Sequence, residues 1–150
     1  MTLREMELKF QQLNLEYSKK SAEINRRKDE VNREKYRLLL AIRMETAAKK
    51  DEIRTAIDML RNERLKCEHD SLAYMEKTEA ILFQENRISR LKDQAEIEIA
   101  KVQGDAYATR LQLDEDARQL SCWLDSEKLK IGEQRSQEPE EIEGAENESL

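Results

Sequence analysis

The chain has 150 residues, 40% charged and 38% apolar, with seven aromatics, three glycines, one proline and a formal net charge of −6. An excess of Glu, Lys, Arg, Leu and Ala with almost no helix breakers is the composition of long helices and coiled coils, and it argues against a compact globule. The longest purely apolar runs, 38–42 and 80–83, fall far short of the roughly 20 residues needed to cross a bilayer, so no membrane span is expected.

The opening MTLREMELKF sets acids and bases among its apolar residues, where a secretory signal would need an uninterrupted apolar segment. An intracellular protein of the cytoplasm or cytoskeleton is expected, with the nucleus left open. From Met1 to Glu138 there is no proline, and the only glycines are Gly104 and Gly132. The fold class read from this is all-α: a very long extended helix or helices forming a coiled coil over 1–131, followed by a disordered acidic tail over 132–150.

The densest basic stretch comes first: Arg26, Arg27 and Lys28, then Arg33, Lys35, Arg37 and Arg43. It could meet phosphates or the acidic surface of a cytoskeletal polymer. The acids Glu23, Asp29, Glu30 and Glu34 are interleaved with it, so a solvated or salt-bridged face is the preferred reading and nucleic acid is not the expected partner.

An apolar stripe runs Met6, Leu13, Ile24, Val31, Ile42, Ile53, Leu60, Cys67, Tyr74, Ile81, Ile88, Ala95, Val102, Leu113, Leu120 and Ile131. Ten of its steps are sevens and five are elevens, so 125 residues take 35 turns, about 3.57 residues per turn. Its strictest part, Ile53, Leu60, Cys67, Tyr74, Ile81, Ile88, Ala95 and Val102, is the expected partner-interface seam. The companion heptad position is poorly kept: Ile57, Arg64, Ser71, Thr78, Glu85, Lys92 and Ile99. Off-stripe Leu65, Leu72, Met75, Leu82, Phe83 and Leu91 widen the face unevenly, the pattern of a helix that touches more than one neighbour.

Two break signals interrupt the rod. Gly104-Asp105 offers a left-handed cap followed by an N-cap, against a glycine tolerated inside a helix at about 1 kcal/mol. His69-Asp70-Ser71, with Asp70 or Ser71 as N-cap, is the lesser signal, because the sevens pass 67–71 undisturbed. Around it, Cys67, Glu68, His69 and Asp70 offer ligand types that consecutive helical positions turn in different directions, so no metal site is expected. No phosphate loop, nucleophile elbow or zinc-protease motif occurs, and no catalytic residue, cofactor or enzymatic activity is assigned. Cys67 and Cys122 have no paired spacing, which suits reduced thiols.

Near the rod's end, Leu120, Trp123 and Leu124 form an apolar patch that either anchors a docked partner or packs on a neighbouring helix. Residues 133–150 hold seven acids and one base, too little apolar surface to offset ordering entropy. The rest is neutral but polarised: 1–66 hold 17 Lys/Arg against 12 Asp/Glu, and 67–132 hold 9 against 14. A parallel dimer sets like halves side by side, so antiparallel pairing is favoured, with itself or another coiled-coil protein, or a hairpin turning near the middle.

These features point to a non-enzymatic coiled-coil structural or adaptor subunit, packing lengthwise on partner helices in a larger intracellular assembly. A cytoskeletal or ciliary scaffold is the setting that suits such a rod. The alternative is a helical-hairpin assembly factor or chaperone, and a third reading is a basic-helix nucleic-acid binder.

Overall fold

The computed structural model describes residues 1–137, which form helix α1, Leu3–Leu65, a short turn, and helix α2, Leu72–Gln137. With 63 and 66 residues, the two helices leave eight described residues outside helix, and no strand occurs among the described residues. The all-α expectation holds in this form.

A capping box starts α1. The Glu5 N–H donates to Thr2 Oγ1 at 3.1 Å, and the Thr2 N–H donates to the Glu5 carboxylate at 3.4 Å. This reciprocal pair satisfies amides that helix geometry leaves open. At the other end, the N–H groups of Lys66 and Cys67 donate to the carbonyls of Glu63 and Arg64 at 3.1 and 3.0 Å. Bonds of that three-residue span tighten a helix as it ends.

The chain reverses next. The Ser71 N–H donates to the Glu68 carbonyl at 3.1 Å, closing a four-residue turn whose third member, Asp70, has φ 64°. Left-handed backbone is costly for most residues, but the short polar side chain of Asp tolerates it. Ser71 then caps α2: its Oγ accepts the Tyr74 N–H at 3.2 Å, and its carbonyl accepts the Met75 N–H at 3.1 Å.

The alternatives left open over 1–131 are resolved here. The helical stretch is interrupted at 66–71, at the lesser of the two break signals. Gly104 lies within α2 and its φ is not positive, so it caps nothing; a Cβ there would meet no atom within 4 Å. The regular sevens concealed the turn because Leu60 ends one buried stripe and Tyr74 begins the next at a spacing that one unbroken helix would share. Helix also continues past Gly132 to Gln137, so the tail expected from 132 has helical residues at its start; its remainder, 138–150, lies outside the described residues.

Two compact units are present, one of Asn32–Tyr107 and one that joins Met1–Val31 to the part of α2 from Ala108 onward. Each pairs an α1 segment with an α2 segment. In the first, Arg61 meets Glu85 at 3.5 Å and Lys77 meets Glu63 at 2.6 Å. Its core is Ile53, Ile57 and Ile81, with Leu60, Ile88 and Leu91 packed against them. In the second, Lys28 meets Asp114 at 2.6 Å, the Lys20 ammonium lies 4.6 Å from the Trp123 ring centre, and Leu113 and Ile131 are buried. Within each unit, later α1 residues meet earlier α2 residues, which is antiparallel packing.

Ile57→Ala or Ile81→Ala is expected to lower unfolding free energy by about 2–3 kcal/mol in urea denaturation, whereas Leu65→Ala, at an exposed position, changes it by less than about 0.5 kcal/mol. At the turn, Ser71→Ala should cost about 1 kcal/mol. Asp70→Gly should be at least as stable as the parent and Asp70→Ala less so; equal stability of the two would remove the left-handed residue from the account.

Candidate interaction surface

All sixteen residues of the apolar stripe are buried or half-buried. Ile53 and Leu60 reach the seam from α1, while Tyr74, Ile81, Ile88, Ala95 and Val102 reach it from α2, and Cys67 lies in the turn. The seam expected to receive a partner is therefore occupied by the chain's own second helix. Of the six off-stripe apolar residues, Leu91 joins this packing and Leu65, Leu72, Met75, Leu82 and Phe83 remain exposed.

Those left outside are ordered by helical spacing. Leu72, Met75, Leu82 and Phe83 fall within an arc of roughly 100° on α2 at 100° per residue, away from the seam positions Tyr74, Ile81 and Ile88. On α1, Tyr36, Leu40 and Met44 recur every four residues and are 65%, 58% and 64% exposed. Each helix thus carries a second apolar stripe on its outer side that the chain itself leaves uncovered.

The turn carries its own cluster. The Tyr74 ring stacks on His69 with centroids 4.8 Å apart and planes 14° from parallel, while the Arg64 guanidinium carbon lies 5.2 Å from the Tyr74 centroid. Arg64 also donates to Thr78 Oγ1 at 3.3 Å. Neither contact was foreseen, because each depends on the turn bringing Arg64 back to Tyr74. Cys67 Sγ donates to the Glu63 carbonyl at 3.5 Å and His69 Nδ1 lies 3.1 Å from Asp70 Oδ1. No three His, Cys, Asp or Glu side chains converge on a metal position among the described residues. Both cysteines are free thiols.

The basic stretch is largely tied up by carboxylates. Arg26 pairs with Glu23 and Glu30, Arg27 with Glu23, Arg37 with Glu34, and Lys28 crosses to Asp114. The Lys35 ammonium lies over its neighbour Tyr36 at 4.8 Å from the ring centre. Arg33 and Arg43 make no ion pair among the described residues. The hydrogen bond from Arg26, seconded by Arg27, lowers the Glu23 carboxyl from its ordinary 4.5 to about 2. Arg37, Lys77 and Lys28, through their hydrogen bonds, lower Glu34, Glu63 and Asp114 in the same way.

Leu120, Trp123 and Leu124 are half-buried. Leu120 and Trp123 line an open groove of about 530 Å³ with Lys19, Lys20, Glu23, Ile24 and Arg27. Lys20 over Trp123 is a cation–π contact within the chain. No helix of the described residues is long and apolar enough to cross a membrane. No protein-family model, curated protein or solved structure matches the chain.

A carboxyl held below its ordinary value in the folded state stabilises the fold above that ordinary value, and the contribution is lost as pH falls through the lowered one. Thermal melts followed by circular dichroism should therefore show Tm falling between about pH 5 and about pH 2, more steeply at low salt. The double variant Glu63→Gln, Asp114→Asn should flatten this decline. A parent Tm that stays level over that range would count against the carboxylate pairs.

Proposed function

We propose that this chain is a non-enzymatic coiled-coil structural or adaptor subunit that packs lengthwise on partner helices within a larger intracellular assembly. A cytoskeletal or ciliary scaffold is the setting we favour, on the strength of its long helical segments and high charge. The observation that carries the reading is the outer stripe of α2, Leu72, Met75, Leu82 and Phe83, which remains exposed after the helices have buried their seam. Exposed apolar rows at helical spacing are the surfaces that amphipathic partner helices cover.

The runner-up, a helical-hairpin assembly factor or chaperone engaging a client at its turn, is favoured by Leu65 and Leu72. At 81% and 73%, they are the most exposed large apolar residues among those described, and they flank the turn. Nucleic-acid binding gains no support, since most of the basic stretch is already neutralised by its own carboxylates.

Proximity labelling in the native cell compares the readings. Leu82→Glu with Phe83→Glu should leave helicity unchanged and stability within about 0.5 kcal/mol, yet remove coiled-coil proteins from the labelled set. Leu65→Glu should leave that set intact. A set that depends on Leu65 and ignores Leu82 and Phe83 would favour the client-binding reading.

A further inference from the structure

Within the unit Asn32–Tyr107, an open groove of about 600 Å³ follows the line where α1 and α2 meet. Its walls carry Arg43, Lys50 and Arg54 from α1 and Lys92 from α2, with one carboxylate, Glu96; Ala47, Ala95 and Ile99 supply its apolar surface. Arg54 is paired with Asp51 at 3.5 Å. The other three cations make no ion pair among the described residues. The groove on the other side of the same seam, lined by Lys49, Glu52, Ile53, Arg87, Arg90, Leu91 and Gln94, is already partly neutralised, with Lys49 held by Glu45 at 3.0 Å.

We propose that the groove between Arg43, Lys50 and Lys92 is a docking site for an acidic amphipathic helix of a partner protein. Charge complementarity selects the occupant: three unpaired cations surround an apolar strip and ask for carboxylates on both flanks of an apolar row. Small residues let a third helix approach closely, and Ile99, half-buried by two helices, gains cover from a third. Among the described residues no side chain is completely enclosed, so a third helix completes burial that two leave unfinished. The charges set orientation and association rate, while the apolar strip contributes affinity. This deepens the reading of the chain as a module that packs on helices, and it rests on that reading.

The test uses the full chain and a labelled synthetic helix of about three heptads, with glutamates flanking a leucine–alanine row, beside its lysine counterpart. Fluorescence anisotropy should show the acidic helix binding and the lysine helix failing to bind. Affinity should fall about tenfold or more in Arg43→Glu, Lys50→Glu, Lys92→Glu, and stay within about twofold in Lys49→Glu, Arg87→Glu, Arg90→Glu. Ala47→Trp, which narrows the groove and changes no charge, should weaken binding as well, which guards against misfolding of the triple variant. No binding, equal binding of both helices, or equal loss in the two triple variants overturns the proposal. So does self-association of the chain that the first triple variant dissolves, since the occupant is then a second copy. Overturned groove results alongside partner labelling that still depends on Leu82 and Phe83 sink the groove alone; labelling indifferent to those residues sinks the wider reading.

Discussion

A helix of more than sixty residues has no interior, so its order depends on a neighbour that covers its apolar stripe. Helix propensity and the ion pairs spaced three and four residues apart along α1 and α2 contribute only tenths of a kcal/mol each, and long helices held by these alone stay marginal. In each unit the neighbour is another part of the same chain. What makes this possible is the six-residue interruption at 66–71, where Asp70 accepts a left-handed backbone and Ser71 restarts the helix. Without that reversal the stripe of α1 would have to be covered by a second molecule.

Charge cooperates with the turn. Helix α1 holds 16 Lys/Arg against 12 Asp/Glu, whereas α2 holds 10 against 13. Among the cross-helix ion pairs, Lys28 to Asp114 and Arg61 to Glu85 place the base on α1, whereas Lys77 to Glu63 places it on α2. Each such exposed pair is weak and screened. Their collective effect is on choice: opposing unlike segments favours this antiparallel arrangement over a parallel association of α1 with another α1.

The stripe was legible because burial imposes its period whichever helix supplies the cover, and so all sixteen of its positions lie at the packed face. Where the chain reverses was less legible, for a physical reason. A spacing of seven from Leu60 through Cys67 to Tyr74 is what two turns of helix would produce, and nothing in a count of spacings separates it from a loop of matching length. The separating signal was local chemistry: a residue that tolerates positive φ followed by a hydroxyl three positions before Tyr74. Gly104 misled for the complementary reason, since glycine permits a left-handed cap without requiring one. Thr2 and Glu5 held a legible capping pattern that went unread. The stacking of His69 and Arg64 about Tyr74, and the grouping of Lys92 with Arg43 and Lys50, needed the reversal to be known first.

Two helices alone bury only part of each other. A residue at the centre of the contact, such as Ile57, is shielded by both helices, whereas Ala95 at the edge of the seam and Ile99 beside it are only half-buried. Apolar side chains beyond that strip, among them Phe83 and Met44, have no cover. For a chain that functions as an isolated pair, selection for solubility would replace those outer residues by polar ones at little cost, since surface positions of long helices accept Glu, Lys or Gln readily. Their presence in ordered rows, on a chain otherwise dense with charge, is what the proposed packing on a further helix calls for. On the proposed reading the pair is a preformed half of an interface: its internal seam meets the entropy cost of ordering two long segments in advance, so an incoming helix needs to order only itself.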